Sequence, residues 1–314
     1  MKLLITRCLP EKVVVAARQR FEVTWRDDPT ALTPAELRAA LRDFDAILPT
    51  LGDLFAADVF ADVPAPRAKI LANFGVGYNH IDTATARAAG LQVSNTPGAV
   101  TDATADIALT LILMSARRAG EGERLLRAGK WTGWHPTQML GSPVTGKTLG
   151  IIGMGRIGQA IARRCHFGFA MTVIFHNRSV LTPDVPATQV PLAAALKADF
   201  VVLAVPASPA TRHLINATTL AQMRPTGHLI NISRGDVVDE AALIHALATR
   251  QIAGAGLDVY EFEPRIPAAL AALDNVTLLP HLGTAVLEVR EAMGMMAVAN
   301  LTAFLDGHPL PNPV

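Results

Sequence analysis

The feature that most constrains this chain lies at its centre, in the run Leu149-Gly150-Ile151-Ile152-Gly153-Met154-Gly155-Arg156-Ile157-Gly158. A short apolar strand enters a turn of the pattern G-x-G-x-x-G and leaves as the helix that contains Gln159-Ala160-Ile161-Ala162. The pattern alone is weak, because glycine serves many loops. Between a strand and a helix it has a physical reading. Gly153 permits the tight turn, Gly155 lets the backbone approach a pyrophosphate, and Gly158 allows the helix to pack closely on the strand. The free N–H groups at the helix start, around Arg156 and Ile157, then face the phosphates.

A strand that turns directly into a helix belongs to a parallel sheet, and the surrounding sequence repeats the alternation. Before the turn, Lys2–Thr6 reads as a buried strand, Glu11–Gln19 as a helix, and 46–48 and 69–72 as further strands. Thr33-Pro34-Ala35-Glu36 is the signature of a capping box opening a helix over Pro34–Arg42. Thr101–Met114 is apolar on nearly every face, so this helix must be covered by the core or by a partner subunit. Gly120–Pro143 reads as irregular and holds Trp131 and Trp134. Past the turn, strands are expected at 171–175, 200–205, 228–232, 255–259 and 276–279. Helices are expected near 192–197, 218–223 and 240–249, with a long final helix over Val286–Leu305.

Composition excludes several classes of function. The 314 residues are half apolar, and 28 Lys+Arg stand against 27 Asp+Glu. That balance supplies a core, argues against global disorder, and leaves no excess of cations for polyanionic partners such as nucleic acid. Two cysteines, Cys8 and Cys165, cannot form a disulfide framework. No His/Cys/Asp cluster has metal-ligand spacing. The mean hydropathy is +0.31, yet the longest apolar run, around Ile107–Met114, falls short of the roughly 18 to 20 residues of a membrane span. The N-terminus lacks a signal-peptide core, which makes the cytoplasm the expected location and a membrane partner unexpected.

The end of the next strand bears on which dinucleotide would bind. NAD-binding units usually place an acid there for the ribose 2′-hydroxyl. Here Thr172-Val173-Ile174-Phe175 runs into His176-Asn177-Arg178-Ser179, with no acid. A carboxylate would repel a 2′-phosphate, whereas the planar fork of Arg178 suits one and Ser179 adds a hydroxyl donor beside Asn177. NADP(H) is therefore expected over NAD(H). The alternative is that Arg178 lies over the adenine or faces solvent.

Three later segments each place polar residues just after an apolar strand. They are Asn231-Ile232-Ser233-Arg234-Gly235, Gly256-Leu257-Asp258-Val259-Tyr260-Glu261-Phe262-Glu263-Pro264, and Leu279-Pro280-His281-Leu282-Gly283. In a doubly wound sheet the C-terminal strand ends converge on the ligand crevice, so Arg234, Glu263 and His281 can meet around one small molecule. Taken singly each has an ordinary reading: a surface or core histidine, a helix-capping arginine, a solvated glutamate before a proline.

Together with Asn73-Phe74-Gly75-Val76-Gly77-Tyr78-Asn79-His80-Ile81-Asp82, Asn95-Thr96-Pro97-Gly98, Gly146–Gly153 and Val237-Val238-Asp239-Glu240, these blocks give a chain that resembles the D-isomer-specific 2-hydroxyacid dehydrogenases over nearly its whole length. The resemblance implies an α/β fold of two doubly wound parallel-sheet domains, one flavodoxin-like and one Rossmann, with the active site in the cleft between them. The substrate domain is expected over 1–98 and 286–314, and the dinucleotide-binding domain over 99–285. Arg234, Glu263 and His281 would be the catalytic trio. His281 gives a proton to the carbonyl oxygen while hydride reaches C2, Glu263 fixes the imidazole, and Arg234 holds the substrate carboxylate and polarises the ketone. The backbone at Val76 and Gly77 would bind that carboxylate, Ile232 and Asp258 would sit by the nicotinamide carboxamide, and Val205-Pro206 by the adenosine.

Within this family the chain is most similar to NADP-dependent glyoxylate/hydroxypyruvate reductases. Asn73-Phe74 occupies the place where relatives using 3-phosphoglycerate carry a cation, and no C-terminal regulatory domain follows before Val314. Leu51, Phe74 and Trp134 are the candidate walls of the substrate pocket, and an apolar pocket would equally admit an aromatic or sugar 2-oxo acid such as hydroxyphenylpyruvate or 2-ketogluconate. A homodimer through the Thr101–Met114 helix is expected from the same resemblance. The different-class alternative is a dinucleotide-sensing binding protein of the corepressor type, which shares the fold.

Overall fold

In a computed structural model that describes residues 1–314, the chain divides into two compact units, Met1–Val100 with Thr284–Val314, and Thr101–Gly283. In unit 1 the elements run β1 (Lys2–Ile5), α1 (Glu11–Arg18), β2 (Glu22–Trp25), α2 (Pro34–Asp43), β3 (Ala46–Leu48), α3 (Ala57–Ala61), β4 (Ile70–Ala72), α4 (Thr83–Ala88) and β5 (Gln92–Ser94). Unit 2 follows with α5 (Thr101–Ala116), α6 (Ala119–Arg127), β6 (Thr148–Ile152), α7 (Arg156–Phe169), β7 (Thr172–His176), β8 (Ala187–Gln189), α8 (Leu192–Ala195) and β9 (Phe200–Leu203). It closes with α9 (Ala217–Leu220), β10 (His228–Asn231), α10 (Glu240–Ala248), β11 (Gly254–Leu257), α11 (Ala268–Ala271) and β12 (Val276–Leu278). The last helix, α12 (Leu287–Leu305), returns to unit 1 and packs on α1 and β4.

Every strand pair is parallel. The unit 1 sheet has the order β2-β1-β3-β4-β5, the flavodoxin-like sequence, and the unit 2 sheet the order β12-β11-β10-β9-β6-β7-β8. Parallel strands covered on both faces must be apolar throughout, and β3, β4, β9 and β10 are buried along their full length. The capping box stands at α2, where the Thr33 side chain accepts from the Glu36 N–H and Glu36 accepts from the Thr33 N–H. No helix is long and apolar enough to cross a membrane.

Two features depart from the sequence reading. The Gly120–Pro143 stretch is not irregular throughout, because α6 occupies its start. Gly120 and Gly122 dilute the apolar pattern of that helix, while the Arg118–Glu121 and Arg127–Glu123 ion pairs line its surface. The strands β2, β5 and β8 also escape the apolar-run criterion. They lie at sheet edges, where exposed residues such as Glu22, Gln92 and Thr188 are tolerated. The all-round apolar helix α5 finds its cover inside unit 2, against α7, α6, β10, β11 and β12. Its solvent stripe is polar, at Asp102, Asp106 and Thr110, and both aspartates pair with Arg164. Ile107, Leu109, Leu113 and Met114 remain partly exposed on the same helix.

The core of unit 2 holds a buried histidine remote from the strand-end loops. His228, at the start of β10, is 5% exposed, stacks on Phe200, and shares a 2.8 Å hydrogen bond with Ser115. Burial pushes its imidazole down to about 4. A histidine held neutral in the fold and free in the unfolded chain contributes fully above its unfolded value, near 6.5. Its contribution declines as pH falls from there toward 4. At pH 5 the linked loss is about 2 kcal/mol. Urea unfolding of the wild type and of His228→Gln at pH 7.5 and pH 5 checks this. The acid-induced loss in the wild type should exceed that in the variant by about that amount.

Candidate active site

The three strand-end loops of unit 2 are built by local bonds and then locked together. After β10, Asn231 folds back on its own turn: its Oδ1 accepts from the Ser233 N–H (3.0 Å) and hydroxyl (2.8 Å), and its Nδ2 donates to the Arg234 carbonyl (2.9 Å). This turn presents Arg234, whose Nη1 donates to the Ser233 carbonyl at 2.7 Å. The next residue leaves no room for a side chain. A Cβ on Gly235 would stand 1.8 Å from the carbonyl carbon of Tyr260, so the Arg234 loop lies in direct backbone contact with the loop after β11.

That second loop carries Glu263. One carboxylate oxygen accepts from the Tyr260 N–H at 3.0 Å, and the other meets His281 Nδ1 at 2.9 Å. The Tyr260 hydroxyl donates to the Leu279 carbonyl at 2.8 Å, which ties the loop to the strand leading to His281. Burial alone would raise the Glu263 carboxyl. The hydrogen bond and charge of His281, the Tyr260 N–H and the charge of Arg234 outweigh it, and the group lies below the usual glutamate range. Burial likewise pulls the Arg234 guanidinium below its ordinary value, against the charges of Glu263 and Asp236. An arginine remains charged under such a shift.

His281 occupies the left-handed region, with φ +55°. For a non-glycine residue this costs on the order of 1 kcal/mol. Asp258 offsets the cost. Its carboxylate is 1% exposed and accepts from the N–H groups of Leu282 (2.6 Å) and Gly283 (2.8 Å), while its carbonyl accepts from the His281 N–H at 3.0 Å. Burial raises the Asp258 carboxyl, and those two N–H groups and His281 oppose the rise. The carboxylate expected beside a nicotinamide carboxamide is thus engaged on both oxygens in holding the histidine turn. Ile232, expected nearby, is buried in the core of unit 2.

The glycine-rich turn has the geometry of a phosphate cradle. Gly153 has φ +99°, and a Cβ there would stand 2.6 Å from the Ala204 carbonyl oxygen. The turn therefore abuts the loop that carries half-buried Val205 and exposed Pro206, at the point where the strand order reverses between β6 and β9. A Cβ on Gly158 would meet the Gly153 carbonyl oxygen at 2.3 Å, which sets the close approach of α7. A Cβ on Gly155 would meet nothing within 4 Å. The middle glycine thus opens a space in front of the α7 N-terminus, and the N–H groups of Gly155, Arg156 and Ile157 are unpaired there. These residues fit a dinucleotide pyrophosphate. At the end of β7, Asn177 Oδ1 accepts from the Met154 N–H (3.4 Å), and Asn177 Nδ2 donates to the Ser179 carbonyl and hydroxyl (both 3.1 Å). Arg178 is exposed and makes no ion pair.

Unit 1 carries the remaining candidates. The Gly75–Gly77 turn after β4 is held by its carbonyls: Asn73 Nδ2 donates to Gly75 and Gly77 (3.0 Å each), and Asn95 Nδ2 donates to Val76 (2.9 Å). Asn73 is in turn bonded to buried His80 at 3.0 Å. The N–H groups of Val76 and Gly77 are left unpaired, which suits an anion. Asn73, Asn95 and His80 were legible only as part of a motif, because their roles depend on which carbonyls the fold brings to them. Leu51 is 36% exposed on the loop after β3, and that loop is tied down by the fully buried Asp53 through Thr6 and the Thr50 N–H. Phe74 is buried at 6%, and Trp134, in unit 2, is 79% exposed.

Comparison with known proteins places this geometry. Residues 109–283 match the model of the D-isomer specific 2-hydroxyacid dehydrogenase NAD-binding domain. The whole chain is 44% identical to a glyoxylate reductase of Thermococcus onnurineus, covering 95% of that protein, and 43% identical to a glyoxylate reductase of Pyrococcus furiosus with the same coverage. Its fold superposes on an NADPH-dependent glyoxylate/hydroxypyruvate reductase from Sinorhizobium meliloti, solved with NADP and malonate. The TM-score is 0.87 at 35% identity, over 100% of this chain and 96% of that one. With a dinucleotide cradle at one strand end and an Arg–Glu–His set at three others, the chain belongs to the D-isomer specific 2-hydroxyacid dehydrogenase family, oxidoreductases that use a nicotinamide dinucleotide on small 2-oxo and 2-hydroxy acids.

Proposed function

We propose that this chain reduces glyoxylate or hydroxypyruvate to the D-2-hydroxy acid with NADPH, with His281 as the proton donor. The observation that carries the reading is the 2.9 Å bond between His281 Nδ1 and Glu263 Oε2, made by a carboxyl held below its usual range. An ionised Glu263 accepts at Nδ1 and keeps that nitrogen protonated. Nε2 is left to hold the proton that the substrate oxygen receives. A bound nicotinamide supplies the hydride to C2. Arg234 is assigned to the substrate carboxylate and to the oxygen on which charge develops. The free amides of Val76 and Gly77 are assigned to carboxylate recognition in unit 1.

The cofactor preference rests on β7. No carboxylate follows the strand, Arg178 is unpaired, and Asn177 orients the Ser179 hydroxyl. The relative from Sinorhizobium meliloti, described as NADPH-dependent, was solved with NADP.

Replacing His281 with Ala should lower kcat for glyoxylate reduction by about 10²- to 10⁴-fold, the span of general acid catalysis, while dinucleotide affinity measured by fluorescence stays near wild type. Turnover within a fewfold of wild type would remove His281 from the proton transfer. Gly235→Ala places a methyl group inside the Tyr260 backbone and should separate Arg234 from Glu263. Its expected signature is a loss of at least 1–3 kcal/mol in unfolding free energy, the range for overpacking, together with loss of turnover. A stable and active Gly235→Ala enzyme would show that this contact does not set the site.

A further inference from the structure

The loop that follows β7 is braced from within by Asn177 and from outside by one side chain of the neighbouring edge strand, Gln189 on β8. Gln189 Nε2 donates to the carbonyls of Asn177 (3.1 Å) and Ser179 (3.0 Å), and its Oε1 accepts from the Leu181 N–H (3.1 Å). All three bonds reach the main chain, and they bracket Arg178 on both sides. A carboxamide can do this because it carries two donors and an acceptor on one plane; a carboxylate cannot donate and a methyl group does neither. Asn177, gripped at its carbonyl, uses its own side chain to bond the Met154 N–H of the glycine-rich turn and the Ser179 hydroxyl. Gln189, Asn177 and Met154 therefore form one connected path from the edge strand to the phosphate cradle.

We infer that Gln189 is a positioning residue for dinucleotide selectivity, setting the 177–181 loop so that Arg178 and the Ser179 hydroxyl are presented together to the 2′-phosphate. The inference rests on the reading of Arg178 given above. Gln189 acts through the loop, since its three bonds leave it no donor for a ligand. Arg178 has no ion pair to hold it, so its placement depends on the main chain on either side. Gln189, the last residue of β8, pairs with Phe175, one residue before the end of β7, which places the clamp beside the loop it holds.

The test compares wild type, Gln189→Ala, Gln189→Glu, Arg178→Ala and the Gln189→Ala/Arg178→Ala double variant. Binding of adenosine 2′,5′-bisphosphate and of 5′-AMP is measured by calorimetry, alongside kcat/KM with NADPH and with NADH. Gln189→Ala should weaken adenosine 2′,5′-bisphosphate about tenfold, leave 5′-AMP and the NADH kinetics within about twofold, and lower the NADPH-to-NADH ratio through KM. Gln189→Glu should lower that ratio at least as far. In the double variant the Gln189 change should add little to the Arg178 change, because the two act on one contact. Amide hydrogen exchange at 177–181 should quicken in Gln189→Ala, with the rest of β7 unaffected. An unchanged ratio in Gln189→Ala beside a lowered one in Arg178→Ala overturns the role of Gln189 and leaves the cofactor reading standing. Equal losses with both dinucleotides and both adenosine ligands reduce Gln189 to a structural residue and overturn the inference. A wild type that prefers NADH, or an Arg178→Ala variant with an unchanged ratio, overturns the cofactor reading and this inference with it.

Discussion

The arrangement of the Arg234, Glu263 and His281 loops depends on one buried carboxylate. Asp258 sits just past the end of β11, almost wholly buried, and spends both oxygens on the amides of Leu282 and Gly283. Those two charge-assisted bonds hold His281 in a left-handed conformation that an L-residue otherwise avoids. With the turn held, the imidazole meets Glu263, and Tyr260 ties the glutamate loop to the strand that carries the histidine. The strain at His281 is local and small, and several stronger contacts over-determine it.

Close approach plays the matching part for Arg234. A side chain at 235 would occupy the backbone of the Tyr260–Glu261 segment, so glycine there lets the arginine loop come into backbone contact with the glutamate loop. The electrostatics then follow from position: each charge lies within reach of the opposite one, and burial amplifies the interaction. The cofactor side is assembled by the same logic. Gly153 and Gly158 are demanded by neighbouring carbonyls, whereas Gly155 faces open space. Two glycines make the turn fit the protein, and one leaves room for the ligand.

Much of this was legible in the residues alone. The capping box at Thr33–Glu36, the strand–turn–helix at 149–162 and the apolar central strands rest on local rules that tertiary context did not overturn. The helix α6 and the edge strands β2, β5 and β8 were not legible, because their stability comes from surface ion pairs or from a single neighbouring strand. The apolar face of α5 correctly demanded cover, yet nothing in its composition could choose between its own sheet and a second subunit.

For the candidate site the division is similar. The sequence by itself determined which side chains are candidates for chemistry, since an arginine, a glutamate and a histidine after apolar strands need only the parallel-sheet rule to be aimed at one edge. It also determined that no acid stands at the end of β7, which sets the charge a dinucleotide ribose would meet. Only the tertiary structure decided what holds these groups: Asp258 turned inward to the histidine turn, Asn73 and Asn95 claiming the carbonyls of the Gly75–Gly77 turn, and Gln189 gripping the Arg178 loop. The reason is physical. A side chain's own chemistry is set by its atoms, whereas a supporting hydrogen bond exists only when folding brings an unpaired backbone group from a distant segment within about 3 Å.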